Sequence, residues 1–214
     1  MRMRRKPNLK KRLDKCAHLL VKEPELHRGK WLSETPYEEL HIELGCGKGR
    51  FTVETAKQHP HALLVGLEKV ENVVVIALER ADKQEQRNIL FAANLADDLD
   101  KFFEPGEVSR IYLNFSDPWP SLRHAKRRLT SQSFLEMYKS VLRTGGEIHM
   151  KTDNLPLFEY SLEEFYKAGF EFLFLMRNLH ENGPVGVMTD YEIKFHDLGV
   201  KINKCVVKNV IERV

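Results

Sequence analysis

The sequence predicts an α/β fold, a mostly parallel sheet with helices on both faces, and three observations point to it. From about residue 38, short apolar runs alternate with segments of helical period. The apolar runs are near-continuous, as in strands covered on both faces. A glycine-rich turn, Gly45-Cys46-Gly47-Lys48-Gly49, joins the first run to the first helical segment, where open α/β sheets take up ligands.

The expected strands are His41-Leu44, Ala62-Glu68, Asn88-Ala93, Arg110-Phe115 and Glu147-Lys151. Between them, helical patterns run over Arg50-Gln58, Glu71-Gln86, Ser131-Arg143 and Leu155-Lys167, the last closed by Gly169 as a C-cap. Strand-helix alternation implies parallel pairing. Phe170-Met176 and Val200-Val207 follow as a candidate antiparallel edge. Gly183, Pro184 and Gly186 mark a loop between them. Residues 1–35 show no period and read as a basic arm, leaving 36–214 as the folded domain.

Composition narrows the function classes. The chain has 214 residues, 42% apolar and 30% charged, in the range of one soluble globular core. Val73-Leu78 is the longest strongly apolar run, far short of the roughly 20 residues of a membrane span. No apolar stretch of signal-peptide length follows the basic N-terminus. Three scattered cysteines fit a reducing cytoplasm rather than a disulfide framework, and nine histidines form no metal-ligand motif. No metal is expected. Of 34 basic and 31 acidic residues, eight and one fall in positions 1–15, leaving 26 and 30. A basic arm thus precedes a mildly acidic body with one internal basic cluster, which suggests a polyanionic partner.

Gly45-x-Gly47-x-Gly49 lets the backbone turn sharply and approach a ligand. A dinucleotide site would place its third glycine at position 50, where Arg50 stands. Glu68 ends the second strand, 19 residues beyond Gly49, and there it can accept both hydroxyls of a ribose. Asn94, after the third strand, offers an amide to an adenine edge or simply forms a turn. The stretch E-L-G-C-G-K-G, with its later strand-end glutamate, resembles class I S-adenosylmethionine-dependent methyltransferases. That resemblance implies a Rossmann-like sheet of seven strands with one antiparallel strand. It also places Glu43 near the methionine ammonium, with Gly45, Gly47 and Gly49 beside the cofactor.

The fourth strand delivers Asp117 to the same carboxyl edge, and Pro118 and Pro120 stiffen its support. The block F-S-D-P-W-P…R-H-A-K-R-R-L-T resembles the bacterial tRNA (guanine-N7-)-methyltransferase family. So do R-M-R-R-K-P at the start, K-T-D-N at 151–154 and T-D-Y-E at 189–192. The likeness covers nearly the whole chain. It implies methyl transfer from S-adenosylmethionine to N7 of a guanosine in the tRNA variable loop, at position 46 of the tRNA. Guanine N7 already has a free lone pair, so Asp117 is assigned to orientation and electrostatics, and to the guanine Watson–Crick edge, rather than to proton removal.

Arg123, Lys126, Arg127 and Arg128 are expected to meet phosphates, with His124 among them. The family usually carries two lysines directly after D-P-W-P, whereas this chain has Ser121-Leu122, so carry-over to Ser121 is incomplete. Asp153 is an expected RNA contact and also a good N-cap. Thr189-Asp190-Tyr191-Glu192 fits a capping box, and the resemblance places it at the substrate. The expected partner is tRNA, with no membrane, and the chain is read as a monomer or homodimer. Two other classes compete, a nicotinamide-dependent oxidoreductase and an RNA-binding module with a degenerate cofactor site. The first is disfavoured by Arg50, the second by the intact glycine turn, Glu68 and Asp117.

Overall fold

The computed structural model describes residues 8–93 and 96–210. In chain order the elements are α1 (Leu9–Lys15), β1 (Leu20–Val21), β2 (Glu39–Leu44), α2 (Arg50–Gln58), β3 (Ala62–Leu67) and α3 (Glu71–Lys83). They continue with β4 (Ile89–Ala92), α4 (Leu99–Phe102), β5 (Val108–Asn114), α5 (Gln132–Val141), β6 (Leu142–Thr152) and α6 (Leu155–Lys167). The chain closes with β7 (Glu171–Met176), α7 (Asp190–Asp197) and β8 (Asn203–Lys208).

These strands form one eight-stranded sheet in the order β1-β4-β3-β2-β5-β6-β8-β7. Pairing is parallel except at β8, which runs antiparallel to both β6 and β7. The expected count of seven is corrected to eight by a strand from the segment read as an arm. Leu20 and Val21 pair with Phe91 and Ala92. The described part of that segment, from residue 8, lies against the sheet and helices. Arg12 bonds both oxygens of Glu79 on α3 at 2.6 Å. Trp31, 2% exposed, donates from Nε1 to the Phe102 carbonyl at 2.9 Å. Sequence period misses this because a two-residue strand and isolated anchors have none.

The strand order reverses between β2 and β5, which pair side by side with Leu44 opposite Leu113. Open α/β sheets leave a crevice at such a switch point. On the other side Leu44 pairs with Leu67. The ends of β2, β3 and β5 are therefore level, and the residues that follow them, Gly45, Glu68 and Phe115, emerge along one edge. Core side chains such as Ile42, Val65 and Ile111 are fully buried beneath that edge. The strands are held to that height by apolar packing, not by the site.

Candidate functional site at the carboxyl edge

Gly45, Gly47 and Gly49 all have left-handed φ, 76°, 56° and 73°, but they serve two purposes. A Cβ on Gly45 would meet nothing within 4 Å, and one on Gly47 only the Gly45 carbonyl oxygen at 4.0 Å. Those two leave room for a ligand against the main chain. A Cβ on Gly49 would lie 2.6 Å from Ala77 Cβ. Gly49 therefore lets α2 pack on α3.

Two cavities, of 480 and 400 Å³, open around this turn and share Gly45, Asn114 and Phe115. Glu68 stands in the larger one. Its two oxygens accept from Gly47 N at 3.3 Å and Val70 N at 3.0 Å, which fixes the carboxylate and leaves acceptor capacity free. Glu43 lines the smaller cavity and is only 2% exposed. It accepts from Thr52 Oγ1 at 2.5 Å and Asn114 Nδ2 at 2.9 Å. Burial pushes its carboxyl above the ordinary range, against those two bonds. The open space over Gly45 and Gly47, the fixed Glu68 and the apolar walls Leu67 and Phe134 fit a nucleoside-bearing cofactor with an ammonium-bearing tail. Asn94 lies outside the described residues.

Asp117 is exposed and lines the same cavity as Gly45 and Glu68. Among the described residues its carboxylate has no hydrogen-bond or ion-pair partner. Phe115 and Trp119, two residues to either side, adopt left-handed φ of 54° and 40°. Such conformations cost about 1–3 kcal/mol each for residues other than glycine. Arg128 helps to hold the turn in shape. It donates to the Pro118 carbonyl at 3.1 Å and to the Trp119 carbonyl at 3.0 Å, and its guanidinium lies 4.3 Å from the Tyr160 ring.

Arg128 is 8% exposed, and its Nε and Nη2 are given to the backbone of the turn. Arg123, Lys126 and Arg127 remain exposed. Lys126 and Arg127 rim the Asp117 cavity. Arg127 covers Trp119 at 4.9 Å, and His124 meets the same ring edge-on at 5.8 Å. Ser121 is exposed and N-caps the short 3-10 helix Leu122–Arg127 through its backbone.

Thr189-Asp190-Tyr191-Glu192 opens α7 as a complete capping box. Thr189, Asp190 and Tyr191 line the smaller cavity. Glu192 does not, because it is fully buried. It is bonded to Lys151 Nζ and sits 2.9 Å from His180 Nε2. In this position Glu192 anchors the start of α7 to β6 and to the loop that carries His180. The Tyr191 hydroxyl donates to Asp153 at 3.1 Å. Asn154, rather than Asp153, caps α6, accepting from Leu157 N at 2.8 Å. Asp190 is held by Arg80 at 2.9 Å and Arg50 at 3.8 Å.

Several site residues were not read from the sequence. Asn114 lines both cavities and orients Glu43, but one asparagine ending a strand carries no distinctive signal. Arg80 meets Asp190 across 110 positions, which no local pattern reveals. Lys151 did leave a trace, since a lysine inside an apolar strand needs a carboxylate partner.

Comparison with known proteins agrees with this geometry. A family model described as "Putative methyltransferase" matches residues 37–205. The solved structure of the 16S rRNA methyltransferase KamB is 18% identical, with a TM-score of 0.61 over 81% of this chain and 88% of that one. A precorrin-6y C5,15-methyltransferase from Geobacter metallireducens is 11% identical, with a TM-score of 0.57 over 95% and 92% of the two chains. A Haemonchus contortus phosphoethanolamine N-methyltransferase in complex with S-adenosyl-L-methionine is 13% identical, with a TM-score of 0.52 over 86% of this chain and 51% of that one. At these identities the likeness is one of fold.

Proposed function

The chain belongs to the tRNA (guanine-N7-)-methyltransferase family of class I S-adenosylmethionine-dependent methyltransferases, and from that premise we propose that it methylates N7 of a guanosine in the tRNA variable loop. The observation that carries this reading is the Asp117 carboxylate, which has no partner of its own among the described residues. It shares one cavity with Gly45 and Glu68, and Lys126 and Arg127 stand on the rim.

S-adenosylmethionine supplies an electrophilic sulfonium methyl. The residues of the chain align and compensate charge. Glu68 accepts from ribose hydroxyls, Gly45 and Gly47 admit the cofactor against the backbone, and Glu43 faces its ammonium. Guanine N7 needs no proton removed, so no general base is required. Holding the reactants in line is worth about 7–11 kcal/mol. The purine gains positive charge as it is methylated, and Asp117 stabilises that charge from a fixed position. The same carboxylate accepts from the guanine Watson–Crick edge, where adenine presents a different donor pattern. Arg123, Lys126 and Arg127 engage phosphates and position the RNA without reading its sequence. Thr189, Asp190, Tyr191 and Asp153 form the wall on the other side of the target nucleotide.

The test is methyl transfer to bulk unmodified tRNA followed by nucleoside mass spectrometry. The expected product is 7-methylguanosine. Any other methylated nucleoside overturns the substrate assignment.

A further inference from the structure

Phe115 lines both cavities at the carboxyl edge, and no step of the proposed reaction uses it. It directly follows β5, two residues before Asp117, and its amide still donates to the Lys151 carbonyl at 2.8 Å. Beyond that bond its backbone turns left-handed, with φ of 54°. A bulky side chain gains nothing locally from that conformation, so the surrounding structure imposes it. Residues held in this way cluster at ligand clamps and active sites.

The aromatic rings at these cavities differ in what already covers them. Trp119, in the Asp117 cavity, has Arg127 over its ring at 4.9 Å and His124 at 5.8 Å. Phe134, in the same cavity, is buried beside Tyr138. Tyr191, in the other cavity, stacks on Phe195 at 4.1 Å, 19° from parallel, and its hydroxyl donates to Asp153. Phe115 is half-buried, and its ring contact is a tilted one, 45° to Tyr191 at 5.0 Å. Among the described residues no cation lies over it. Tyr191, itself fixed by Phe195 and Asp153, buttresses the Phe115 ring.

The Asp117 cavity is thus lined, two residues apart, by a free carboxylate and an aromatic ring with no cation over it. An aromatic face carries partial negative charge. It stacks on any planar base and holds a cationic one more strongly. Methyl transfer creates that difference. The N7 lone pair takes the methyl carbon, the carbon–sulfur electron pair stays on sulfur, and the positive charge passes to the purine. No proton is released.

We propose that Phe115 stacks on the target guanine and that its ring favours the 7-methylated, cationic purine over the neutral one. This role rests on the guanine-N7 reading of the site. It adds to that reading a second source of charge stabilisation, from a ring face rather than a carboxylate.

The test replaces the Phe115 ring, in the full-length protein, by its mono-, di- and trifluorinated analogues, alongside Phe115→Leu and Phe115→Tyr. Fluorine withdraws charge from the ring face and leaves its shape nearly unchanged. Two quantities are read: kcat on unmodified tRNA, and, with S-adenosylhomocysteine bound, the affinity for tRNA carrying 7-methylguanosine relative to unmodified tRNA. Both are expected to fall stepwise with each fluorine. Phe115→Leu is expected to lower each about tenfold, and Phe115→Tyr to recover most of that loss. KM for S-adenosylmethionine and the salt slope of tRNA binding are expected to stay unchanged. A flat fluorine series overturns the proposal. So does a Phe115→Leu variant that keeps the wild-type affinity ratio. Product identity is read separately, by nucleoside mass spectrometry. A wild type that makes 7-methylguanosine but shows a flat series defeats the Phe115 role alone; one that makes a different nucleoside defeats the proposed activity and this role together.

Discussion

Asp117 and Asp190 are both exposed carboxylates at the carboxyl edge of the sheet, yet their loops are anchored by opposite means. The Asp117 loop is held through its backbone. Two prolines restrict it, Arg128 grips two of its carbonyls, and its carboxylate is left unpaired among the described residues. The Asp190 loop is held through side chains. Glu192 beneath it is buried against Lys151 and His180, and Asp190 itself is tied to Arg80 and Arg50. A carboxylate already neutralised by two arginines has little charge to offer a cationic purine. One kept free on a stiff support has all of it. Exposure alone does not separate the two; the partners do.

The largest effect is expected from breaking the side-chain anchor. Glu192→Ala strands Lys151 in the interior and should cost about 3–5 kcal/mol in urea unfolding. The double variant Lys151→Met with Glu192→Leu should recover most of it. If the single variant is as stable as wild type, the α7 loop is not held by this network. Next, Asp117→Asn should lower methyl transfer about 10²–10³-fold with unchanged stability. Full activity would remove the contrast between the two carboxylates.

Acid should act away from both loops, inside the sheet at β2. Burial pushes the His41 imidazole down to about 4, below its ordinary value near 6.5. The unfolded chain therefore takes up this proton first. Stability that is present above about pH 6.5 is lost as pH falls towards 4, to the extent of about 3 kcal/mol. Unfolding midpoints at pH 7 and pH 5 measure this, and His41→Gln should flatten the difference.

Smaller effects sharpen the comparison. Arg128→Met should cost about 1–3 kcal/mol and slow methyl transfer without altering the salt slope of tRNA binding. Lys126→Gln and Arg127→Gln should each lower that slope by about 0.7–0.9 and leave stability alone. The reverse pattern would make Arg128 the phosphate ligand. The smallest effect belongs to Asp190→Asn, whose exposed pairs with Arg80 and Arg50 should be worth about 0.2–1 kcal/mol.

The sequence by itself determined the strands from residue 39 onward and the longer helices between them, but not the one-turn α4, because apolar period and glycine turns are local properties and a four-residue helix has no period. Arg50-Gln58 and Leu155-Lys167 form helices with the expected bounds. The Gly45–Gly49 turn, Glu68 and Asp117 were readable for the same reason, each marking the end of an apolar run. Only the tertiary structure decided which members of the R-H-A-K-R-R and T-D-Y-E motifs face outward. Arg128 and Glu192 look like their neighbours in sequence but are buried, because their partners, the Trp119 carbonyl and Lys151, lie 9 and 41 positions away. The eighth strand and the two cavities at the carboxyl edge needed the fold as well. They arise where segments far apart in the chain meet, and burial and pairing between distant residues leave no period to read.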